Sequence, residues 1–432
     1  MNAKPIDFDT KAAFAAQLDA DDSLAQFRSR FHFPRARAGN EVICFTGNSL
    51  GLQPRSARAY VDQELDDWAS LAVEGHMHAK TPWLAYHEFL TEKMAAIIGA
   101  KPIETVVMNS LTVNLHLLLV SFYRPTAERY KIVIEKGAFP SDQYAVKSQI
   151  EFHGNIAGKF APGSDTLIEL TPRDGESTLR TEDIIETIQR EGDSIALVLL
   201  GGVNYYTGQA FKMREITAAG HAVGAVVGFD LAHAAGNIEL KMHDWDVDFA
   251  VWCSYKYLNG GPGAVAGAFI NERYANCSDI PRFAGWWGHK KATRFLMGPD
   301  FHPIAGAEGW QISNPPILQM AVLRASLELF DEAGMVALRA KSLKLTGYLE
   351  HLLKQIGSDR ISVITPEDPA QRGCQLSIRV RGGGRSLHEK IVSKGASVDW
   401  REPDVIRAAP VPLYNSFQDV FRFVEILRAC LQ

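Results

Sequence analysis

Residues 252–263 read WCSYKYLNGGPG, a lysine set between an apolar run and a Gly-Pro-Gly turn. The run Phe249 to Cys253 (FAVWC) has the unbroken apolar character of a strand covered on both faces, and the glycines after Asn259 let other segments approach closely. Lys256 is therefore expected just beyond a rigid strand end. Upstream, Val226-Val227-Gly228-Phe229 is a second such run, which ends in Asp230 and is followed by His233. An aspartate at the carboxyl end of a strand faces the crevice in which open α/β sheets bind ligands.

Working outward, KIVI (131–134), IALVLL (195–200), AVVGF (225–229) and AVAGAFI (264–270) repeat the pattern. Stretches with helical spacing, 181–190 and 211–223, lie between them, which predicts a mostly parallel, helix-covered sheet. After Pro315-Pro316 the texture changes to two helices (319–330 and 335–356), a strand-like run (374–380) and a closing helix (417–431). Further helices are expected at 56–73 and 85–98. The domain expectation is an N-terminal segment, 1–50, packing on both units; a large α/β domain, 51–315; and a small α+β domain, 316–432.

The chain has 432 residues, 46% of them hydrophobic and 22% charged, with net charge −5, which is the composition of an ordinary globular protein. The mixed charge favours neither nucleic acid nor a membrane as partner. Five scattered cysteines without a CxxC pair disfavour a disulfide framework and a zinc site, and point to a reducing cytoplasm. The start, MNAKPIDFDTK, lacks the apolar core of a signal peptide.

Asp230 and Lys256 together make a specific pair: a carboxylate for a protonated pyridine nitrogen and an amine for an aldehyde. Those are the two protein groups that pyridoxal 5′-phosphate needs most. Asn109-Ser110-Leu111-Thr112 leads into a helix-like run, so its backbone N–H groups suit a phosphate; capping by Asn109 or Ser110 would use the same residues. Phe139-Pro140-Ser141-Asp142 follows the strand at 131–134 and offers a ring to stack on a pyridine, with Asp142 near its polar edge.

The segments FTGNSLGLQP (45–54), NSLTVNLHLL (109–118), AFPSDQYA (138–145), VGFDLAHAAGN (227–237), CSYKYLNGGPG (253–263), GWWGH (285–289), ISNPPIL (312–318) and APVPLYNSF (409–417) resemble the kynureninases, fold-type-I pyridoxal-phosphate enzymes. The resemblance implies a seven-stranded sheet and hydrolysis of the Cβ–Cγ bond of L-kynurenine or 3-hydroxy-L-kynurenine, in tryptophan catabolism or NAD biosynthesis. It assigns Lys256 to the cofactor aldehyde and Asp230 to the ring nitrogen, with Tyr255 moving protons. Leu111, Thr112, Phe139, Pro140, Ser141, Asp142, His233, Tyr255, Trp286 and Asn314 would complete the cofactor shell. Arg407 would take the substrate α-carboxylate, with Ser49, His76 and Asn314 also at the substrate. Trp286 and Asn314 would cross a homodimer interface. The His76/Asn314 pair matches the type that favours 3-hydroxykynurenine. Gly201 stands where animal relatives carry serine.

His76-x-His78 has too few ligands for a metal, so no metal site is expected. Arg381 to Arg385 (RGGGR) reads as a turn. A cysteine desulfurase or selenocysteine lyase would need a mobile acceptor thiol, and Cys374 opens a strand-like run instead. A non-catalytic binding protein would have no need for Asp230, Tyr255, Lys256 and Arg407 together.

Overall fold

The computed structural model describes residues 7–36, 39–163 and 165–432; the first six residues of the expected N-terminal segment lie outside the described residues. The main sheet has seven strands: β1 (Thr105–Val107), β2 (Lys131–Glu135), β3 (Leu167–Leu170), β4 (Ile195–Gly201), β5 (Val226–Asp230), β6 (Phe249–Trp252) and β7 (Gly267–Ile270). Their spatial order is β1-β7-β6-β5-β4-β2-β3. The five strands from β6 to β3 run parallel; β7 pairs antiparallel with β6, and β1 pairs antiparallel with β7 and so runs in the direction of the five. Sequence patterning located five of these strands. It missed β1 and β3, short runs in which Thr105 and Glu169 break the apolar signature.

Both faces of the sheet are covered, and this is why the central strands read as unbroken apolar runs: Ile195 to Leu200 are all buried. Helices α1 (Ala12–Ala20), α2 (Ala57–Leu71), α3 (Glu88–Ile98), α4 (Leu111–Phe122), α5 (Pro140–Glu151), α6 (Thr181–Glu191) and α7 (Met213–Ala222) precede or alternate with the strands. Phe122, Phe249 and Trp310 stack on one face, while Val133, Val198, Val227 and Phe269 join the core on the other.

Helices α8 (Ile317–Ala333) and α9 (Met335–Lys354) lead to a four-stranded antiparallel sheet of β8 (Ile361–Val363), β9 (Leu376–Val380), β10 (Asp399–Arg401) and β11 (Val405–Ala408), ordered β10-β11-β9-β8. Helices α10 (Gly384–Ser393) and α11 (Phe417–Leu431) cover it. RGGGR is a turn over its first three residues and then opens α10. Core packing runs across the expected boundary at 315/316: Met320, Leu323, Leu327 and Phe330 of α8 belong to the large core, and the small core takes over along α9 from Leu345.

The N-terminal segment fastens the two cores. Leu24, Phe27 and Phe31 enter the large core, and Ala15, Ile43 and Phe45 enter the small one. Asp19 of α1 accepts the Phe417 and Gln418 N–H groups at 2.6 and 3.1 Å, so it caps α11 from outside, beside that helix's own Ser416/Asp419 capping box. Arg28 donates to Asp419 at 2.6 Å.

Gly228 is a position where the sheet leaves no room for a side chain. A Cβ there would lie 2.3 Å from the Phe249 ring of β6. Gly228→Ala is expected to cost ~1–3 kcal/mol through overpacking. Urea unfolding of the variant beside the parent chain measures it.

Candidate active site

The parallel strands set the site. Glu135, Gly201 and Asp230 are the last residues of β2, β4 and β5, side by side at the carboxyl edge of the sheet. Lys256 follows β6 in a loop held by Gly260 N–H to the Ser254 carbonyl (2.8 Å) and Gly51 N–H to the Tyr255 carbonyl (2.9 Å). A Cβ on Gly51 would sit 2.4 Å from the Lys256 carbonyl, so glycine is required for that approach. Together they bound a cleft of about 570 Å³, part of it open to solvent, with walls from Thr112, Phe139, Asp142, Tyr205 and His233.

The charges in this cleft are unusual. Asp142, Glu135 and Asp230 are all buried. Burial, reinforced by the neighbouring Asp230 carboxylate, pushes the Asp142 carboxyl well above the usual range, and burial pushes Glu135 up to about 7. Asp230 is also raised by burial, opposed by an N–H from Ala232 (2.7 Å) and by the charge of Lys256. His233 is held neutral by burial and by the cations Lys256 and Arg407; its Nε2 lies 3.0 Å from the Lys256 Nζ and its buried Nδ1 has no partner. Asp142 Oδ1 is equally unpartnered.

Two helix N-termini converge on the cleft. Ser110 precedes α4 without capping it through its side chain, and Asn109 instead donates to Asn114 at 3.0 Å. The first-turn N–H groups at Leu111 and Thr112 are thus left uncapped by side chains. Thr112 Oγ1 and Ser141 Oγ, in the first turns of α4 and α5, are 2.8 Å apart. Pro140 supplies the fixed φ of the first turn of α5. This cradle suits a phosphate. Phe139 remains 45% exposed in the cleft wall, its ring edge-on to Tyr205 at 5.4 Å and 5.6 Å from the Lys256 Nζ. Burial raises the Tyr255 phenol, which keeps it protonated.

Arg407 of β11 stands behind Tyr205. Its Nη1 donates to the Tyr205 carbonyl at 2.7 Å, its Nη2 pairs with Asp399, and its buried Nε is free of partners. Ser49 donates to the same Asp399 carboxylate at 2.5 Å, which brings Ser49 and Arg407 together. Three expected residues stay outside the cleft of their own chain. Trp286 sits in a separate depression and donates to the Arg294 carbonyl at 3.1 Å. Asn314 is exposed, and His76 lies edge-on to Trp83 with its Nδ1 2.9 Å from the Val73 carbonyl.

Sequence reasoning missed Glu135, Asn204, Tyr205 and Asp399. The rule that selected Asp230, an acid ending a buried strand, applies equally to Glu135 in KIVIE. Gly201 gives its N–H to Glu135 at 2.7 Å, and a Cβ there would stand 3.0 Å from that carboxylate, so a serine would crowd it. Cys374 is fully buried and its thiol is pushed by burial up to about 12, which removes it as a sulfur acceptor.

Because the folded chain holds the Asp142 proton to higher pH than the unfolded chain does, the stability linked to this group is present at low pH and lost as pH rises. Asp142→Asn is therefore expected to raise the melting temperature of the cofactor-free protein at pH 8, with the gain vanishing toward pH 4. A thermal-melt series over that range reads it.

Comparison with known proteins agrees with this architecture. Residues 338–427 match the family model described as the kynureninase C-terminal domain. The kynureninase of Koribacter versatilis is 62% identical over 418 residues, 97% of each chain, and that of Myxococcus xanthus 59% over 423 residues, 98% of each. A cysteine desulfurase from Thermococcus onnurineus NA1 superposes with a TM-score of 0.76 at 18% identity, over 94% of this chain and 97% of its own. The Escherichia coli cysteine desulfurase CsdA does so with 0.75 at 17%, over 95% and 98%. At these identities the structures share the fold alone, whereas the near-full-length sequence matches carry the family: the chain belongs to the kynureninases.

Proposed function

We propose that this chain binds pyridoxal 5′-phosphate and hydrolyses L-kynurenine and 3-hydroxy-L-kynurenine to L-alanine and anthranilate or 3-hydroxyanthranilate. The observation that carries this reading is the pairing of three buried acids with one lysine in a cleft that ends at two helix N-termini. Such a cleft lacks a cation on its acidic side and an anion at the helix ends. A pyridinium ring with a phosphate arm supplies both.

Pyridoxal phosphate, when bound, supplies an aldehyde for the substrate amine and a protonated ring that draws electrons from Cα. Asp230 would keep the ring nitrogen protonated, with Asp142 beside it. Thr112, Ser141 and the first N–H groups of α4 would hold the phosphate, and Phe139 would cover the ring. Arg407 would receive the α-carboxylate through its fork. Lys256 would act as the base that takes the Cα proton and returns it to Cα after cleavage, with neutral His233 beside its Nζ. Water would add to the γ-carbonyl carbon, the Cβ–Cγ bond would break, Tyr255 would give its proton to Cβ, and the proton shed by the added water would restore Tyr255. Alanine and the aryl carboxylic acid leave.

In the same reading the working unit is a homodimer in the cytoplasm, a compartment that suits five free thiols. Exposed apolar side chains surround two of the residues that lie outside the cleft of their own chain: Val73 and Met77 beside His76, and Phe295, Leu296 and Met297 near Trp286. Covering them with a second copy would carry His76, Trp286 and Asn314 to the partner's cleft. No helix among the described residues is long and apolar enough to cross a membrane.

Incubation with kynurenine is expected to release fluorescent anthranilate together with alanine. Lys256→Ala should abolish this, along with the borohydride-reducible adduct between protein and cofactor. A protein that neither takes up pyridoxal phosphate nor yields anthranilate refutes the reading. With His76 and Asn314 facing the substrate ring, 3-hydroxykynurenine is expected to show the higher kcat/KM. The His76→Trp/Asn314→Thr variant should shift the ratio of the two kcat/KM values by roughly tenfold toward kynurenine. Steady-state kinetics on both substrates measures it.

A further inference from the structure

Glu135 does more than add charge to the cleft. Its Oε1 accepts the Gly201 N–H at 2.7 Å and its Oε2 accepts the Asn204 side-chain amide at 2.6 Å. Asn204 in turn presents Oδ1 to the N–H groups of Tyr206 (3.0 Å) and Thr207 (2.9 Å) and to the Thr207 hydroxyl (3.1 Å). This folds residues 204–209 into a turn closed by Asn204 N–H to the Gln209 carbonyl at 2.7 Å. Three successive carbonyls of that turn then grip the smaller unit: Tyr205 accepts from Arg407 (2.7 Å) and Gln375 (3.2 Å), Tyr206 from Ser377 (2.6 Å), and Thr207 from Thr365 (2.5 Å).

We propose that Glu135 and Asn204 are positioning residues: the carboxylate at the end of β2 orients the Asn204 amide, which shapes the turn whose Tyr205 carbonyl fixes the Arg407 guanidinium. This rests on the reading of Arg407 as receiver of the substrate α-carboxylate and extends it to what aims that arginine. The polarity of the relay is fixed. The Tyr206 and Thr207 N–H groups can only donate, so Asn204 must turn its oxygen toward the turn and its NH₂ toward Glu135, whose two oxygens accept from Asn204 and Gly201. A glutamine at 135 that keeps the Gly201 bond through its oxygen turns an NH₂ on the Asn204 NH₂. Relief by flipping Asn204 would then set its NH₂ against the Tyr206 and Thr207 N–H groups.

The same logic defines a reversal. In Glu135→Gln/Asn204→Asp, glutamine donates to one aspartate oxygen and still accepts from Gly201, while the other aspartate oxygen accepts from the turn. Each bond is restored with the charge moved by one residue.

The test titrates the holoenzymes with L-alanine, which carries an α-carboxylate, and with ethylamine, which lacks it, following the absorbance of bound cofactor. Glu135→Gln and Asn204→Asp are each expected to weaken alanine roughly tenfold, the scale of one buried charged hydrogen bond, while ethylamine binding holds. The double variant should regain most of the loss. Additive losses in the double variant, or single variants that bind alanine as the parent does, overturn the relay. Arg407→Gln separates the underlying reading: if it leaves alanine binding unchanged, Arg407 does not receive the carboxylate, whatever the relay variants do.

Discussion

Three acids buried at one sheet edge with a single lysine ammonium among them form the constraint around which the molecule is organised. Carboxylates this deep are costly, and the cleft answers partly by holding a proton, as the raised Asp142 carboxyl records, and partly by hydrogen bonds, as at Glu135. The remaining correction is a ligand with positive charge on the acidic side. In the proposed reading, a ring cation beside Asp142 and Asp230 is what relieves the cost. The orphan atom His233 Nδ1 fits this account, because it is a polar group held dry with no partner among the described residues.

That arrangement needs a scaffold that resists collapse. Parallel strands β2, β4 and β5 end together because their register pairs Ile132 with Leu197 and Gly201 with Asp230, and the apolar runs behind them are covered on both faces. The loops that finish the cleft are pinned by backbone contacts too close for side chains, as at Gly51. Helix N-termini at Leu111 and Pro140 supply the opposite potential across the cleft, so the two ends of one elongated ligand meet complementary fields. The smaller unit reaches this assembly through the 204–209 turn, which lets Arg407 sit beside the cleft while belonging to another sheet.

Much of this was legible in the chain. Runs such as IALVLL and FAVWC could hardly be anything but doubly covered strands, and Asp230 and Lys256 were found because acids and lysines are rare at the ends of such runs. Glu135 was legible by the same rule and passed over, since KIVI was read without its last residue. Asp399 and Asn204 carried no such signal: their significance comes from pairing with Arg407 and Glu135, partners distant in sequence, and no local pattern encodes that. The 315/316 boundary illustrates the same limit. Pro315-Pro316 marks a real change in local texture, yet the apolar face of α8 packs on the core before it.

The partition between what sits in the cleft and what sits outside it follows a physical logic. Residues that would handle charge, namely Asp230, Lys256, His233 and Thr112, come from a strand end, the loops just past strand ends and a helix start, where the sheet fixes position. His76, Trp286 and Asn314, the residues read as facing the partner's ligand, come from short helices and loops at the surface, with exposed apolar side chains around the first two. Strand ends of one chain can aim only at their own crevice, because the sheet fixes their direction. Surface segments have no such restriction, but they become rigid only when something covers them. A second copy that buries Val73, Met77 and Leu296 would order those segments at the same moment that it delivers their polar members. In that reading, dimer formation and completion of the site are a single event, driven by apolar area and expressed as substrate choice.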